Sequence, residues 1–595
     1  TETLKGDILK GKILLFNIYR VIYSMLETSV ESLGLMSLAA FLEDRGYDAS
    51  VYQGELFYGR EFLKEQVKKH KILAAGFYCD FENQLEVCRM SREIAEDYGI
   101  PVIFGGPQVT GFNAEYLKKS MSMACVYGEG EITLLRILEC LYNNGGNWKE
   151  LDGIIYVDEK DSLIKKPPGP VVSNLDELPL PAYHRLVNKP QVRKKATILT
   201  GRGCPFRCAF CHEGNISRPL RLRSVDRVLK DVEIILNSDD NINYIAFLDD
   251  TFTISPERVK DICKGLGRLR EKRDFVWYCE GHVKLLSKWP EMLYYMAEAG
   301  MVRLQIGIES GVQKVLDLYG KGTTLEDIEH VIKTASDAEI HQVVGFFITG
   351  GPFESPETLE INKAFYEKLL EMAPGILEIG PSPLVPYPDT AIGMEPEKYG
   401  IHILDPEGIT GFADYTVTET DSMKREDIAK GQKELIFHGI KKMTSLFKEG
   451  KVPHERIINS FRDFSFAIPS VWYTAVYCEI PFVKAYYNLF FRGAVKRSAD
   501  IPPEDLYRWR PQRIMEMWSD VDFSEGYPRI GTYVLSPLEF ELLLYSTGKL
   551  RLKEMLVTIY EKFSQRFEHY EEYEKEAFLL LKKFEDKYWL AYTPL

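Results

Sequence analysis

Apolar runs of strand length alternate with amphipathic stretches twice over in the first two thirds of the chain, and this alternation constrains the fold most. In the first series the runs lie at residues 12–17, 48–53, 72–77, 101–104 and 125–127. They are apolar almost throughout, as strands covered on both faces of a parallel sheet must be. Helical periodicity fills the gaps at 32–45 (Leu35, Leu38, Ala39 and Leu42 on one face), 61–69, 84–98 and 131–142. Five such units predict a doubly wound, Rossmann-like α/β domain. Ligands of such sheets sit past the strand carboxyl ends. Two Gly-rich turns fall there, Gly105-Gly106-Pro107-Gln108 and Gly128-Glu129-Gly130-Glu131. Glycine lets backbone approach a ligand closely, and it also suits a plain turn.

Residues 153–165 read as a hairpin. A stretch with Pro167, Pro168, Pro170, Pro179, Pro181 and Pro190 follows and reads as an extended linker. The second series places strands at 196–200, 244–248, 275–280, 302–306, 343–348 and 376–380, with helices at 225–236, 256–270, 324–337 and 356–372. Six βα units predict a partial (β/α)6 TIM barrel with its chemistry at the strand carboxyl ends. Beyond about residue 396 the chain is aromatic and mostly helical. Its end reads as a winged-helix-like unit, in which Ser536 caps a helix over 538–545 and a second helix spans 552–563. The expected domains are 1–165, 166–195 (linker), 196–395, 396–527 and 528–595.

Composition narrows the function. The 595 residues carry 74 Lys+Arg against 88 Asp+Glu, a net charge of -14. That argues against nucleic acid as a partner, since phosphate binding needs a basic face, and the acidic run 568–576 argues the same for the terminal unit. The most apolar stretch, 464–483, is broken by Pro469, Glu479 and Pro481, so no membrane span is expected. Lys5, Asp7, Lys10 and Lys12 leave no apolar core for a signal peptide. Ten cysteines are too few for a disulfide scaffold at this length.

Three of them, Cys204, Cys208 and Cys211, stand as Cys-x3-Cys-x2-Cys directly after the first strand of the second series. Three thiolates on one loop can hold three irons of a [4Fe–4S] cluster and leave the fourth open. Structural zinc takes four protein ligands and suits a trio less well. This spacing, its place after a barrel strand and Phe210 ahead of the last cysteine resemble the radical S-adenosylmethionine (SAM) superfamily.

The resemblance implies that the open iron chelates SAM and that Phe210 packs near its adenine. It places a contact to the SAM ammonium at Asp249 or Asp250, departing there from the Gly-Gly-Glu pattern common in the superfamily. It puts Glu309, with Ser310 beside it, at the ribose, and Gly350 at the adenine site. An α/β domain ahead of such a barrel is similar to the cobalamin-dependent branch. That likeness assigns Gly105, Gly106, Gln108, Gly128, Glu129 and Gly130 to the cobalamin tail. No histidine precedes His70, so the histidine-bearing Asp-x-His-x-x-Gly loop of many cobalamin proteins is missing. The lower face of cobalamin would then meet residues such as Tyr19, Arg20, Met25, Cys79, Asp80 or Asn83.

The activity implied is transfer of a methyl group from SAM, through methylcobalamin, to an unactivated carbon of a natural-product or peptide substrate. A non-methylating ring contraction, cyclisation or oxidation remains open. So does a non-radical methylation like that of the thiopeptide tryptophan methylase, whose layout is similar and in which Glu280 would approach the open iron. A flavodoxin or ferredoxin as electron donor, a monomeric state and a reducing cytoplasm are expected. Trp472, Tyr473, Tyr477, Tyr486, Tyr487, Phe490 and Phe491 read as helical core or as a substrate wall.

Overall fold

The computed structural model describes residues 10–19, 31–80, 82–143, 145–189, 192–213, 219–404, 417–466, 468–524 and 527–594. Two compact units emerge, residues 1–452 with 465–468, and residues 453–464 with 469–595.

The first unit begins with the strands β1 (Lys12–Tyr19), β2 (Asp48–Glu55), β3 (Ile72–Tyr78), β4 (Val102–Gly105), β5 (Ala124–Val126), β6 (Ile154–Val157) and β7 (Leu163–Lys165). They form one sheet in the order β2-β1-β3-β4-β5-β6-β7. The first five are parallel, and the expected hairpin β6–β7 extends the edge antiparallel. Period-two alternation explains why β1 is apolar almost throughout. Ile13 and Leu15 enter the core on one face of the sheet, while Leu14, Phe16 and Ile18 enter the core on the other. Because β1 pairs with both β2 and β3, the chain reverses its winding there, which opens a crevice at the strand carboxyl ends.

After β8 (Lys195–Ile198), a two-stranded ladder joins β9 (Gly201–Arg202) to β10 (Arg221–Leu222). The strands β11 (Tyr244–Phe247), β12 (Val276–Gly281), β13 (Met301–Glu309), β14 (Gln342–Thr349) and β15 (Leu377–Pro383) then complete an open parallel sheet in the order β15-β14-β13-β12-β11-β8. Helix boundaries follow local signals. Pro256–Arg270 and Pro356–Met372 each have Pro at the first position and a Ser N-cap, Ser255 and Ser355. Gln84–Tyr98 stops at Gly99, whose φ is 62°. A short ladder, β16 (Ile401–Ile403) with β17 (Thr418–Thr420), precedes the 24-residue helix Arg425–Lys448.

In the second unit, Trp472, Tyr477, Tyr486 and Tyr487 are fully buried; Tyr477 and Tyr487 stack on Phe461, Tyr486 on Phe490 and Trp472 on Tyr477, so they are core. The terminal helices Pro537–Tyr545, Leu552–Phe563 and Tyr570–Asp586 bury Leu538, Leu556, Tyr573 and Phe584 together. Strand β18 (Arg510–Arg513) precedes them, as does the hairpin β19 (Arg529–Ile530) with β20 (Tyr533–Val534). The last strand, β21 (Leu590–Thr593), pairs antiparallel with β18. No helix among the described residues is long and apolar enough to cross a membrane.

Candidate active site

A cavity of about 620 Å³ opens at the carboxyl ends of β1, β3, β4 and β5, at the crevice the strand order predicts. Gly105, Gly106, Gly128, Glu129 and Gly130 line it from the N-terminal domain, while Gly201, Arg202, Gly203, His212, Glu213 and Asp250 line it from the barrel. Both glycine turns are built for backbone rather than side chain. A Cβ on Gly106, at φ 105°, would stand 2.5 Å from the Cys79 carbonyl oxygen. Gly128, at φ 78°, has no atom within 4 Å of its Cβ position and so presents open backbone to the cavity.

Polar contacts clasp the two domains across this cavity. Arg202 donates to Glu129 at 3.2 Å and to Glu131 at 2.7 Å, and Arg221 also donates to Glu129. The Glu129 carboxylate, assigned from sequence to a cofactor, is thus taken up by two arginines. Tyr387 donates to Asp80 at 3.2 Å, and the Thr110 hydroxyl donates to Asp389.

Of the remaining sequence-predicted cobalamin residues, Gln108 is buried outside the cavity lining. Tyr19 bonds Ser32, and burial pushes its phenol up to about 12. Cys79 is fully buried with its thiol toward the Phe77 carbonyl, and Asn83 bridges the Tyr78 carbonyl and the Asp80 N–H. None of Tyr19, Cys79, Asp80 and Asn83 lines the cavity; Asn17 and Tyr78 of the same strands do. Arg20 and Met25 lie outside the described residues. The one histidine lining the cavity among the described residues is His212, from the cysteine loop.

The cysteine loop is anchored at both ends. Asp249, fully buried, accepts from the Thr200 N–H at 2.5 Å and also from its hydroxyl. Its neighbour Asp250 accepts from the Gly203 N–H and faces the cavity. Ala209 donates to the Tyr319 carbonyl at 2.8 Å, and Phe210 packs edge-on against the Tyr319 ring at 4.9 Å. The Thr251 hydroxyl lies 3.4 Å from the Cys204 sulfur. Burial pushes the Cys208 thiol up to about 12, opposed by the charge of Lys321. Among the described residues no three Cys, His, Asp or Glu side chains converge closely enough to hold a single ion. A closed zinc site, with Zn–S near 2.3 Å, would need its thiolates within about 4 Å of one another. Three thiols on one anchored loop match in number the three ligands of a [4Fe–4S] cluster that keeps one iron open.

Around the loop stand further strand-end residues. Glu280 is half-buried, accepts from Gln305 at 3.0 Å, and is pushed up to about 7 by desolvation and by Asp250 and Asp249. Glu309 sits at φ 64° and pairs with buried Lys321 at 2.6 Å. A left-handed, buried glutamate is strained backbone kept at a strand end, as functional residues are. Ser310 is spent on the N–H of Val312 and on Asn362. Gly350, at φ 71°, gives its N–H to Glu354. The sequence reading missed Lys321, which reaches Glu309 only through the fold, and His282, which stands two residues past Glu280 at the same strand end.

Residues 198–363 match the radical SAM superfamily, and residues 19–138 match the B12 binding domain. The B12-binding match thus lies N-terminal to the radical SAM match on one chain. The radical SAM match implies a [4Fe–4S] cluster and SAM, and the B12-binding match implies cobalamin. The chain is 33% identical over 294 residues to an uncharacterised methyltransferase of Pyrococcus horikoshii, covering 48% of this chain and 61% of that one. It is 29% identical over 286 residues to the 4′-phospho-dehydrooxetanocin synthase of Priestia megaterium, covering 45% and 38%. It therefore spans less than two thirds of either relative. Its fold is that of a radical SAM methyltransferase from Kitasatospora setae solved with cobalamin and a [4Fe–4S] cluster (18% identity, TM-score 0.53, covering 66% of this chain and 76% of that one). A cobalamin-dependent SAM radical enzyme solved with aqua-cobalamin shares it too (18%, TM-score 0.57, 77% and 71%).

Proposed function

We propose that the chain is a methylase that carries a methyl group from SAM, by way of cobalamin, to an unactivated carbon of a natural-product or peptide substrate. One observation carries this reading: a single cavity is walled by the glycine turns of the B12-binding domain and by the root of the barrel's cysteine loop. When bound, the cluster with SAM supplies a carbon radical and cobalamin supplies the methyl group. The chain's own residues then have separate tasks. Cys204, Cys208 and Cys211 hold the cluster. Phe210, Asp250, Glu309 and Gly350 hold SAM, with Asp249 fixing the loop that Asp250 meets. Gly105, Gly106, Gly128 and Gly130 would offer backbone to cobalamin, and among the described residues no histidine of the N-terminal domain lines the cavity. Glu280, pushed up to about 7, can hold or release a proton near neutral pH. A low-potential donor such as flavodoxin or ferredoxin would reduce the cluster.

A second reading, radical chemistry without methylation, is favoured by the relative named as a synthase. Anaerobic chain, loaded with cobalamin, reduced and given SAM alone, separates the two. The methylase reading expects S-adenosylhomocysteine in an amount matching the bound cobalamin. Formation of 5′-deoxyadenosine with no S-adenosylhomocysteine would favour the synthase-like reading instead.

A further inference from the structure

His282 follows β12 directly and is 6% exposed. Its Nδ1 accepts the Lys284 N–H at 3.2 Å and so caps the helix Val283–Lys288. With Nδ1 accepting, the proton of a neutral imidazole stands on Nε2. That nitrogen is buried and has no hydrogen-bond partner among the described residues. The ring lies flat on Phe206, centroids 3.6 Å apart and planes 9° from parallel. Phe206 is the middle one of the three residues between Cys204 and Cys208. The charge of Lys321 is felt by both His282 and Cys208. The His282 backbone N–H is fixed as well, donating to the Thr253 hydroxyl at 3.1 Å.

A cap alone does not explain this residue. Asp caps a helix well with no donor at all, and Asn or Ser do so with a donor that stays close to the backbone rather than reaching as far as Nε2. A buried donor without an acceptor is rare in native proteins and costs stability unless something arrives to pair with it. Burial, with the Lys321 charge, holds the imidazole down at about 3, so it stays a neutral donor across the working pH range.

We propose that His282 is a positioning residue whose Nε2–H is reserved for an acceptor brought by the barrel's cofactors, either a sulfur of the cluster or the carboxylate of SAM. The proposal rests on the reading of the cysteine loop as a cluster site. A donor to a cluster sulfur stabilises the more negative, reduced state and raises the potential. A donor to the SAM carboxylate adds a hydrogen bond to a charged group, which is among the stronger kinds.

His282→Asn tests it, because the Asn carbonyl can take over the cap while the far donor is lost. His282→Gln is the counterpart, since its amide N–H reaches toward the Nε2 position. Both variants and the wild-type chain, reconstituted anaerobically, are compared in iron and sulfide content, in cluster midpoint potential without SAM, and in SAM affinity by calorimetry without reductant. Equal iron and sulfide are expected in all three, together with an unchanged unfolding temperature of the cluster-free H282N chain. A more negative midpoint potential in H282N assigns the acceptor to the cluster. An unchanged potential with SAM binding about tenfold weaker or more assigns it to SAM. H282Q is expected to move the affected readout back toward wild type. Loaded H282N that matches wild type in both potential and SAM affinity overturns the proposal alone. A wild-type chain that takes up no cluster overturns the cluster reading and the proposal with it.

Discussion

Four carboxylates of the barrel stand above their ordinary range because burial penalises the ionised form: Asp249 at about 6, and Asp250, Glu280 and Glu354 at about 7. Glu354 is the simplest to isolate, since its partners are the N–H groups of Gly350 and Gly351 rather than other charges. Between its ordinary value of 4.5 and about 7 the folded chain keeps a proton that the unfolded chain has lost. Folding is therefore helped at low pH, and that help is lost as pH rises through 7, in total on the order of 1–3 kcal/mol. Glu354→Gln cannot ionise. Its unfolding temperature relative to wild type is expected to rise from pH 5 to pH 8; a constant difference would remove the assignment. At this scale the sequence marked the strand-end acids but did not separate their duties. Adjacent side chains at a strand end point to opposite sides, so Asp249 is consumed by Thr200 while Asp250 meets the cavity. Lys321 and His282 carried no local signal strong enough to stand out, because what distinguishes them is a neighbour brought by the fold.

Turns between elements carry the next constraint. Gly106 leaves no room for a side chain, its Cβ position lying 2.5 Å and 2.9 Å from the backbone oxygen and nitrogen of Cys79, atoms that cannot move aside cheaply. Gly106→Ala is expected to cost about 1–3 kcal/mol from backbone strain alone, read by chemical denaturation of the cofactor-free chain. Gly128→Ala pays for its φ of 78° but meets nothing, so about 1–2 kcal/mol is expected. If the open space at Gly128 receives cobalamin, that variant loses more cobalamin affinity, by absorbance titration, than its stability cost explains. Unchanged affinity would place cobalamin elsewhere. Strands and most helices were legible because apolar runs and caps are local properties; Gln84–Tyr98, Pro256–Arg270 and Pro356–Met372 lie where the periodicity puts them. The helix Ala114–Ser120 escaped because seven residues are too few to show a period. The pairing of β21 with β18 escaped because partners nearly eighty residues apart leave no mark on either strand.

For the N-terminal domain and the barrel together, the question is what sets one against the other, since the cavity exists only where their strand ends face. Two βα series could be read from the sequence, but their mutual placement could not, because it is decided by side chains that meet only after both have folded. Arg202 and Arg221 from the barrel converge on Glu129, with Glu131 on the second side of Arg202, and all four side chains are at most 16% exposed. A pair so buried gains little over an apolar contact of equal size, yet losing one partner strands the other charge at a cost of about 3–5 kcal/mol. The pairs therefore act chiefly as a register device, penalising any other docking of the two domains. Glu129→Gln and Arg202→Gln, alone and combined, are expected to show this in a double-mutant cycle. Each single change should destabilise the chain and weaken cobalamin binding. The double variant should lose less than the sum, with a coupling of about 1–3 kcal/mol, and should recover part of the affinity because neither charge is left alone at that contact. Additivity within about 0.5 kcal/mol would instead assign the docking to the apolar contacts of the Pro-rich segment, where Leu175, Leu178 and Leu186 are buried.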